Sequence, residues 1–173
     1  LNGVTEPAAG SNFFDMTTTA IRRGGDWYLT GHKYMITNAF EADIAQVFAV
    51  TDPGKGRASF TYFQFNTTQY LGKGYRTGEV ARTMFDDGLT GEIMFDNLRL
   101  PTDSVIGDRA QGFDIAMCSI GWTRMRRAGM CSAWSKYIID KTVARVRDRL
   151  IGGRPLGGRQ GIQWMLADMY LDW

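Results

Sequence analysis

The sequence predicts an α+β protein with a β domain over residues 1–106 and the start of a helical bundle over residues 107–173. Up to Pro101, short runs of β-branched and aromatic residues alternate with turn-forming residues, which predicts an antiparallel β-barrel or sandwich. Beyond "PTDSVIGD", apolar residues recur at spacings of three, four and seven, which indicates helices. The change of period at this point is the basis for the predicted domain boundary.

The β domain begins with a hairpin signal. Gly24-Gly25 lies between "TTTAIRR" and "DWYLTG", and such a pair suits a tight two-residue turn. The segments "KYMIT", "IAQVFAVT", "SFTYFQF" and "GEIMFDNLRL" follow as further candidate strands. The sequences "DPGKG", "LGKG" and "FDDG" separate them and are rich in turn-forming residues.

The helical part begins with one long helix between Arg109 and Leu150, a stretch without proline and about 60 Å long at 1.5 Å per residue. The segment "GGRPLGG" ends it, and "IQWMLADMYLDW" predicts a second helix that packs back on the first. The apolar residues that recur at helical spacing are Phe113, Met117, Ile120, Ala128, Cys131, Trp134 and Ile138 on the first helix, and the second helix carries Ile162, Met165, Leu166 and Met169 on one face.

Composition excludes several classes of protein. The net charge of +2 gives no support for nucleic-acid or membrane binding. His32 is the only histidine, so a histidine triad or a multi-histidine metal site is not expected. Cys118 and Cys131, about 20 Å apart on one helix, cannot form a disulfide, which favours a reducing compartment.

No signal peptide or apolar run of roughly 20 residues is present. The ends, Leu1 and Trp173, are interpreted as lying inside a longer protein.

The segment "TEPAAGS" near the start has two interpretations. Pro7 disfavours helix at Glu6, so Thr5 and Glu6 are expected to be extended. Gly10 and Ser11 then offer backbone N–H groups and a hydroxyl to a phosphate or a ring edge. The alternative is a capped surface turn, and chemistry alone favours the turn.

Two later segments are equally ambiguous by themselves. Thr37-Asn38, at the end of "KYMITNA", either presents polar groups to a ligand or starts a turn. Arg149 and Arg154, around the glycine-rich break, either bind a phosphate or hydrogen-bond the last carbonyls of the helix.

Taken together, five segments follow one order and spacing: "TEPAAGS", "GHKYMITNAFEAD", "GEIMFDNLRLP", "IGDRAQGFDIAM" and "GGRQGIQWMLADM". This series resembles the acyl-CoA dehydrogenase family of flavoproteins. The resemblance covers essentially all 173 residues, from the start of the family's middle β-barrel domain into its C-terminal up-down four-helix bundle. The family's N-terminal helical domain has no counterpart in this sequence.

The resemblance implies FAD between the β domain and the helices. By position, Thr5 contacts the pyrimidine side of the flavin, Ser11 the pyrophosphate and the edge of the acyl-CoA site, and Thr37 the flavin nitrogen that accepts hydride. Arg149 reaches the FAD of a neighbouring subunit, beside Gln160, and Arg124 lies on the substrate side. The implied cofactor-binding residues are Thr5, Gly10, Ser11, Met35, Ile36, Thr37, Arg149 and Gln160, and the implied substrate-binding residues are Ser11 and Arg124.

The implied reaction is α,β-dehydrogenation of an acyl-CoA thioester, with a glutamate that abstracts the α proton. Relatives place that glutamate either immediately before the arginine matched by Arg124, where this chain has Thr123, or on a later helix beyond Trp173. No catalytic residue is therefore expected in this sequence, and this stretch alone should be inactive. Glu6 is rejected as a substitute, because in the family it serves the loop.

Three departures from the family pattern leave the acyl substrate open. Met35 stands where the family often has tryptophan, Gly152 where a phenylalanine is usual in the arginine motif, and Gly121 where some relatives have aspartate. They do not affect the assignment of FAD as cofactor.

The resemblance also implies partners and a setting. A homodimer or homotetramer follows from the shared FAD site, an electron-transfer flavoprotein is the expected acceptor, and fatty acid metabolism is the expected role. A soluble protein of the bacterial cytoplasm or mitochondrial matrix fits these expectations. The alternatives are a flavin-dependent monooxygenase or nitroalkane oxidase of the same superfamily, and a non-catalytic binding module.

Overall fold

A computed structural model describes residues 1–80 and 89–173. The chain divides into two compact units, residues 1–118 (unit 1) and 119–173 (unit 2). Unit 1 contains the seven-stranded sheet, and unit 2 contains most of the long helix, a two-stranded hairpin and the last helix, so the predicted α+β class is confirmed. The predicted domain limits, 1–106 and 107–173, stay a prediction.

Unit 1 is built on a seven-stranded mixed sheet in the order β1-β4-β2-β3-β7-β6, with β5 also paired to β4. Both β1 and β2 run parallel to β4, whereas all other pairs in this sheet are antiparallel. In the described ranges β5 and β6 do not pair with each other, so the sheet is open and mixed, a detail that the predicted antiparallel barrel or sandwich did not include. The predicted β domain followed by helices is confirmed. The strands are β1 (Asn2–Gly3), β2 (Thr19–Arg23), β3 (Asp26–Thr37), β4 (Ile44–Val50), β5 (Phe60–Asn66), β6 (Tyr75–Glu79) and β7 (Thr90–Leu100).

The hairpin between β2 and β3 has the predicted two-residue turn. Arg23 pairs with Asp26, and Gly24 and Gly25 between them have φ angles of 57° and 98°. Left-handed backbone at both central positions is what the strand twist requires, and glycine adopts it without steric penalty.

Strand β3 is longer than predicted, because "DWYLTG" and "KYMIT" form one strand through Gly31. A Cβ atom at Gly31 would lie 2.6 Å from the Cα of Thr18, so only glycine allows the backbone at Thr18 to approach this closely. Strand β6 was not predicted, and the predicted "FDDG" turn at 85–88 lies outside the described residues.

The core of unit 1 follows the two-residue period of the strands. Leu29, Val47, Phe63 and Ile93 are fully buried on one side of the sheet. Burial of each such side chain contributes about 1.5–3 kcal/mol relative to exposure. A second cluster joins Phe48, Phe60 and Tyr62 to Phe113 at the start of the long helix.

The helices are α1 (Thr67–Tyr70), α2 (Gly112–Asp148) and α3 (Gln160–Asp172). Between α2 and α3, β8 (Leu150–Ile151) and β9 (Arg154–Pro155) form a small hairpin that turns at Gly152-Gly153. The long helix predicted between Arg109 and Leu150 is confirmed as α2, with slightly narrower bounds. None of the helices in the described part of the chain combines the length and apolarity needed to cross a membrane.

Within unit 2, α3 packs back on α2, as predicted. The indole N–H of Trp173 donates a hydrogen bond to the carbonyl of Ser132 at 3.1 Å. Of the recurring apolar residues on α2, Phe113 is buried, whereas Ile138 is 52% exposed and its neighbour Ile139 is buried instead. Ala128, Cys131 and Trp134 of α2 and Met165 of α3 are also exposed. Periodicity finds an apolar stripe, but the contacts of the folded chain decide which side of it is covered.

Candidate functional site

The "TEPAAGS" segment is a tight turn attached to strand β3. Two backbone hydrogen bonds between Glu6 and Ala9, of 2.9 and 3.2 Å, close the turn around Pro7. The backbone N–H of Tyr34 donates to the carbonyl of Thr5 at 2.9 Å. The structure thus brings Thr5 next to the "KYMIT" part of β3, 29 residues further along the sequence.

Glu6 lies beneath this turn and is only 3% exposed. Its Oε1 accepts hydrogen bonds from Lys33 Nζ at 2.8 Å and from the backbone N–H of Thr18 at 3.0 Å. Its Oε2 accepts from the backbone N–H and the hydroxyl of Thr17, at 2.7 and 2.8 Å. A carboxylate bound by four donors and shielded from solvent cannot serve a substrate as a base.

Lys33 is fully buried in the middle of β3. Besides Glu6, its ammonium group contacts the carbonyl of Val4 at 3.2 Å and the sulfur of Met16 at 3.1 Å. An ammonium group has three protons, so these contacts use its whole donor capacity.

The pair is ionised at neutral pH. Burial alone would raise the pKa of Glu6, but the charge of Lys33 and the hydrogen bonds outweigh it and lower the pKa to about 2. Burial lowers the pKa of Lys33 to about 8, although the charge of Glu6 opposes this shift. Since 7 lies between these values, both groups carry their charges there.

The end of β3 contains an irregularity that exposes two side chains. The register with β7 shifts between Lys33 and Ile36, and Met35 has a left-handed φ of 57°. Met35 is 54% exposed and Thr37 is exposed, whereas Ile36 between them is buried. A β-bulge of this kind re-aims side chains, and here Ile36 can offer a ligand only its backbone.

Gly10 and Ser11 follow the turn at the surface. A Cβ atom at Gly10 would meet no atom within 4 Å, so the chain's own packing does not require glycine there. Among the described residues, the hydroxyls of Thr5, Ser11 and Thr37 have no hydrogen-bond partner. Open space at Gly10 and the exposed side chains of Ser11 and Thr37 fit a polar ligand that lies against this face.

A cleft of about 330 Å³ opens beside the short 3₁₀ helix that follows Ser11. Asp52, next to the lining residue Pro53 in the sequence, accepts hydrogen bonds from Arg109 at 2.6 Å and from Lys55 at 3.2 Å. The cleft is lined by Phe14, Met16, Val50, Pro53, Ser59 and Phe60, among others.

The remaining predicted site residues belong to unit 2. Arg124 is exposed on α2, and the hydroxyl of the neighbouring Thr123 donates to the carbonyl of Ser119 at 3.0 Å. Arg149 follows the end of α2 and Gln160 begins α3, so these two exposed residues flank the β8–β9 hairpin. The carbonyl of Arg149 accepts a hydrogen bond from the N–H of Leu156 at 2.8 Å.

Sequence reasoning missed Lys33, Thr17 and Thr18 as residues that support the site. One signal was available for Lys33. In β3 it lies in phase with the buried residues Trp27 and Leu29, so the two-residue period points its side chain into the core. A lysine in that phase indicates a buried acidic partner.

Comparison with known proteins identifies two family domains. Residues 2–98 match the acyl-CoA dehydrogenase middle domain, and residues 110–173 match the acyl-CoA dehydrogenase C-terminal domain. The predicted resemblance is therefore confirmed over nearly the whole chain.

Individual relatives agree with these domains. An acyl-CoA dehydrogenase of Bacillus subtilis (strain 168) is 34% identical over 172 residues, which cover 96% of this chain and 43% of that protein. A glutaryl-coenzyme A dehydrogenase solved with glutaryl-CoA superposes with a TM-score of 0.91 at 29% identity and covers 99% of this chain and 43% of that one. A Mycobacterium smegmatis glutaryl-CoA dehydrogenase in complex with FADH2 has a TM-score of 0.86 at 31% identity, with coverage of 99% and 42%. The chain thus spans less than half the length of these relatives.

Proposed function

Since this chain belongs to the acyl-CoA dehydrogenase family, we propose that the full-length protein is an FAD-dependent oxidoreductase that acts on the Cα–Cβ bond of an acyl-CoA thioester. The observation that carries the proposal is the position of Thr5 against the bulge of β3, in a chain matched by both family domains. This position brings the Thr5 turn beside the end of β3, so that the two neighbouring segments together offer hydroxyls and backbone groups to a flavin.

The residues present fit a flavin. Thr5, Gly10, Ser11, Met35 and Thr37 are at least partly exposed, and the backbone of Ile36 lies between the last two. In unit 2, Arg149 would hold the pyrophosphate by charge-assisted hydrogen bonds, with Gln160 beside it. When bound, the flavin supplies a two-electron acceptor for the β hydrogen of the substrate.

The chain's own residues bind and orient rather than transfer the α proton. Glu6 is enclosed in its ion pair, and position 123 has a threonine whose hydroxyl bonds the helix backbone. We therefore place the catalytic base outside these 173 residues. Ser11 and Arg124 are the proposed contacts for the acyl-CoA.

The proposed partners follow from the same assignment. Arg149 is proposed to reach the FAD of a second subunit, which makes the protein a homo-oligomer. An electron-transfer flavoprotein is the proposed acceptor of the electrons.

The test is a visible absorption spectrum of the purified full-length protein, before and after a panel of acyl-CoA thioesters is added without oxygen. We expect a flavin band that one class of thioester bleaches. A flavin band that no thioester bleaches would favour the oxidase or monooxygenase alternatives. The absence of any flavin band after FAD is added would leave a non-catalytic binding module.

A further inference from the structure

The buried pair Glu6 and Lys33 connects the two segments that carry the proposed flavin contacts in unit 1. Glu6 directly follows Thr5, and Lys33 lies two residues before Met35. Three links join the segments: Lys33 Nζ to the carbonyl of Val4, Tyr34 N–H to the carbonyl of Thr5, and Lys33 Nζ to Glu6 Oε1 at 2.8 Å. The turn and the bulge therefore share one polar anchor.

Stability alone does not account for this anchor. Taking two charges out of water is costly, and an apolar pair of similar volume often stabilises a core equally well or better. An apolar pair would, however, not define the distance and direction between the two segments. Lys33 has partners at Val4, Glu6 and Met16, and Glu6 has partners at Thr17 and Thr18, so the network defines one arrangement.

The bulge gives a reason for such an anchor. Met35 has a φ of 57°, in a region that a bulky side chain adopts only at a conformational cost. Backbone strain of this kind persists only where the surroundings over-determine it. The register shift that contains Met35 begins at Lys33, so the buried ammonium holds the strand at the point where the bulge starts.

We propose that Glu6 and Lys33 are positioning residues that hold the Thr5 turn and the Met35–Thr37 bulge in the relative placement that FAD requires. Because both side chains are buried, they act through Thr5 and Thr37 and not by contact with the cofactor. This inference rests on the function proposed above.

The experiment compares flavin binding with stability in the full-length protein. The variants are Glu6→Gln, the double variant Glu6→Gln with Lys33→Met, and Leu98→Ala as a matched control. Leu98 is fully buried in β7, so its truncation destabilises the same core without removing the anchor. The readouts are the dissociation constant of FAD from the apoprotein, the visible spectrum of the bound flavin, and the denaturant midpoint of unfolding.

We expect Glu6→Gln to raise the FAD dissociation constant roughly tenfold, because displacement of the two segments would weaken about one hydrogen bond to the flavin, and to shift the flavin spectrum. The Leu98→Ala variant should lose stability but keep the affinity and spectrum of the unmodified protein. The double variant leaves no unpaired buried charge, so its unfolding midpoint should rise above that of Glu6→Gln while its FAD affinity stays low.

Two results would overturn the positioning role while leaving the proposed function intact. One is an equal loss of FAD affinity in Glu6→Gln and Leu98→Ala, and the other is full recovery of affinity in the double variant. If the unmodified protein binds no FAD, the proposed function fails, and the inference fails with it.

Discussion

The two units support their proposed cofactor residues in different ways. In unit 1, the Thr5 turn and the end of β3 are held by a buried ion pair and its hydrogen bonds. In unit 2, Arg149 and Gln160 are exposed and flank a small hairpin. Contacts made by backbone and short hydroxyls need a rigid support, whereas a long arginine can reach an anion from a surface position. The contrast predicts that substitutions of the buried supporting pair in unit 1 affect folding as well as cofactor binding, whereas substitution of the exposed Arg149 in unit 2 affects cofactor binding with little effect on folding.

The largest effect is expected for Lys33→Met, because it leaves the carboxylate of Glu6 buried without its counter-charge. Removal of one partner of a buried pair costs about 3–5 kcal/mol of unfolding free energy. The measurement is denaturant unfolding, with Lys136→Met as control. Lys136 forms an exposed pair with Asp140, so its loss should cost less than about 1 kcal/mol. Equal losses in the two variants would contradict the contrast between buried and exposed support.

The second-largest effect is expected at acid pH, which should lower the unfolding free energy of unit 1. The pKa of Glu6 falls from its usual 4.5 to about 2 on folding, so the folded state binds protons less readily. This stabilisation is present above pH 4.5 and is lost as the pH falls through about 2, with a total of about 3 kcal/mol. Unfolding free energies measured from pH 7 to pH 2 should show this slope. The Glu6→Gln variant should lack the part of the pH dependence that Glu6 contributes. An identical slope in that variant would exclude Glu6 as the source.

A smaller effect is expected for Gly31→Ala. The new Cβ would lie 2.6 Å from the Cα of Thr18, and overpacking of this kind costs about 1–3 kcal/mol. Gly129→Ala is the opposite case, since position 129 lies inside α2 with open space around it. There alanine should stabilise by up to about 1 kcal/mol. Thermal unfolding of both variants tests whether each substitution stabilises or destabilises the protein. A stabilised Gly31→Ala variant would contradict the close approach of the backbone at Thr18 to Gly31.

The smallest effect on stability is expected for Arg149→Ala, because its side chain is exposed. Unfolding free energy should change by less than about 0.5 kcal/mol. Loss of a charge-assisted hydrogen bond to the pyrophosphate should nevertheless weaken FAD binding by about 1.5–3 kcal/mol, roughly ten- to a hundredfold. Arg145→Ala, in the last turn of α2, is the control, and isothermal titration with FAD is the measurement. An unchanged affinity for Arg149→Ala would remove Arg149 from the proposed cofactor site.

Much of the site was open to prediction from sequence because it depends on local patterns. The hairpin at Gly24-Gly25, the limits of α2 and the order of the family motifs all depend on residues close together in the chain. The partner of Glu6 was not predicted, because Lys33 lies 27 residues away and the two meet only when the turn packs on β3. The bulge at Met35 was missed for a similar reason, since its register shift is defined by pairing with β7.

The sequence by itself determined the α+β class, the position of most strands and both long helices, and the family to which the chain belongs. The tertiary structure decided that the sheet is open and mixed, that Ile139 rather than Ile138 is buried on α2, and that Glu6 is an anchor. The physical reason is the range of the contacts involved. Turn preference and periodicity act between neighbours along the chain, whereas sheet pairing and the burial of a charge depend on residues that only folding brings together.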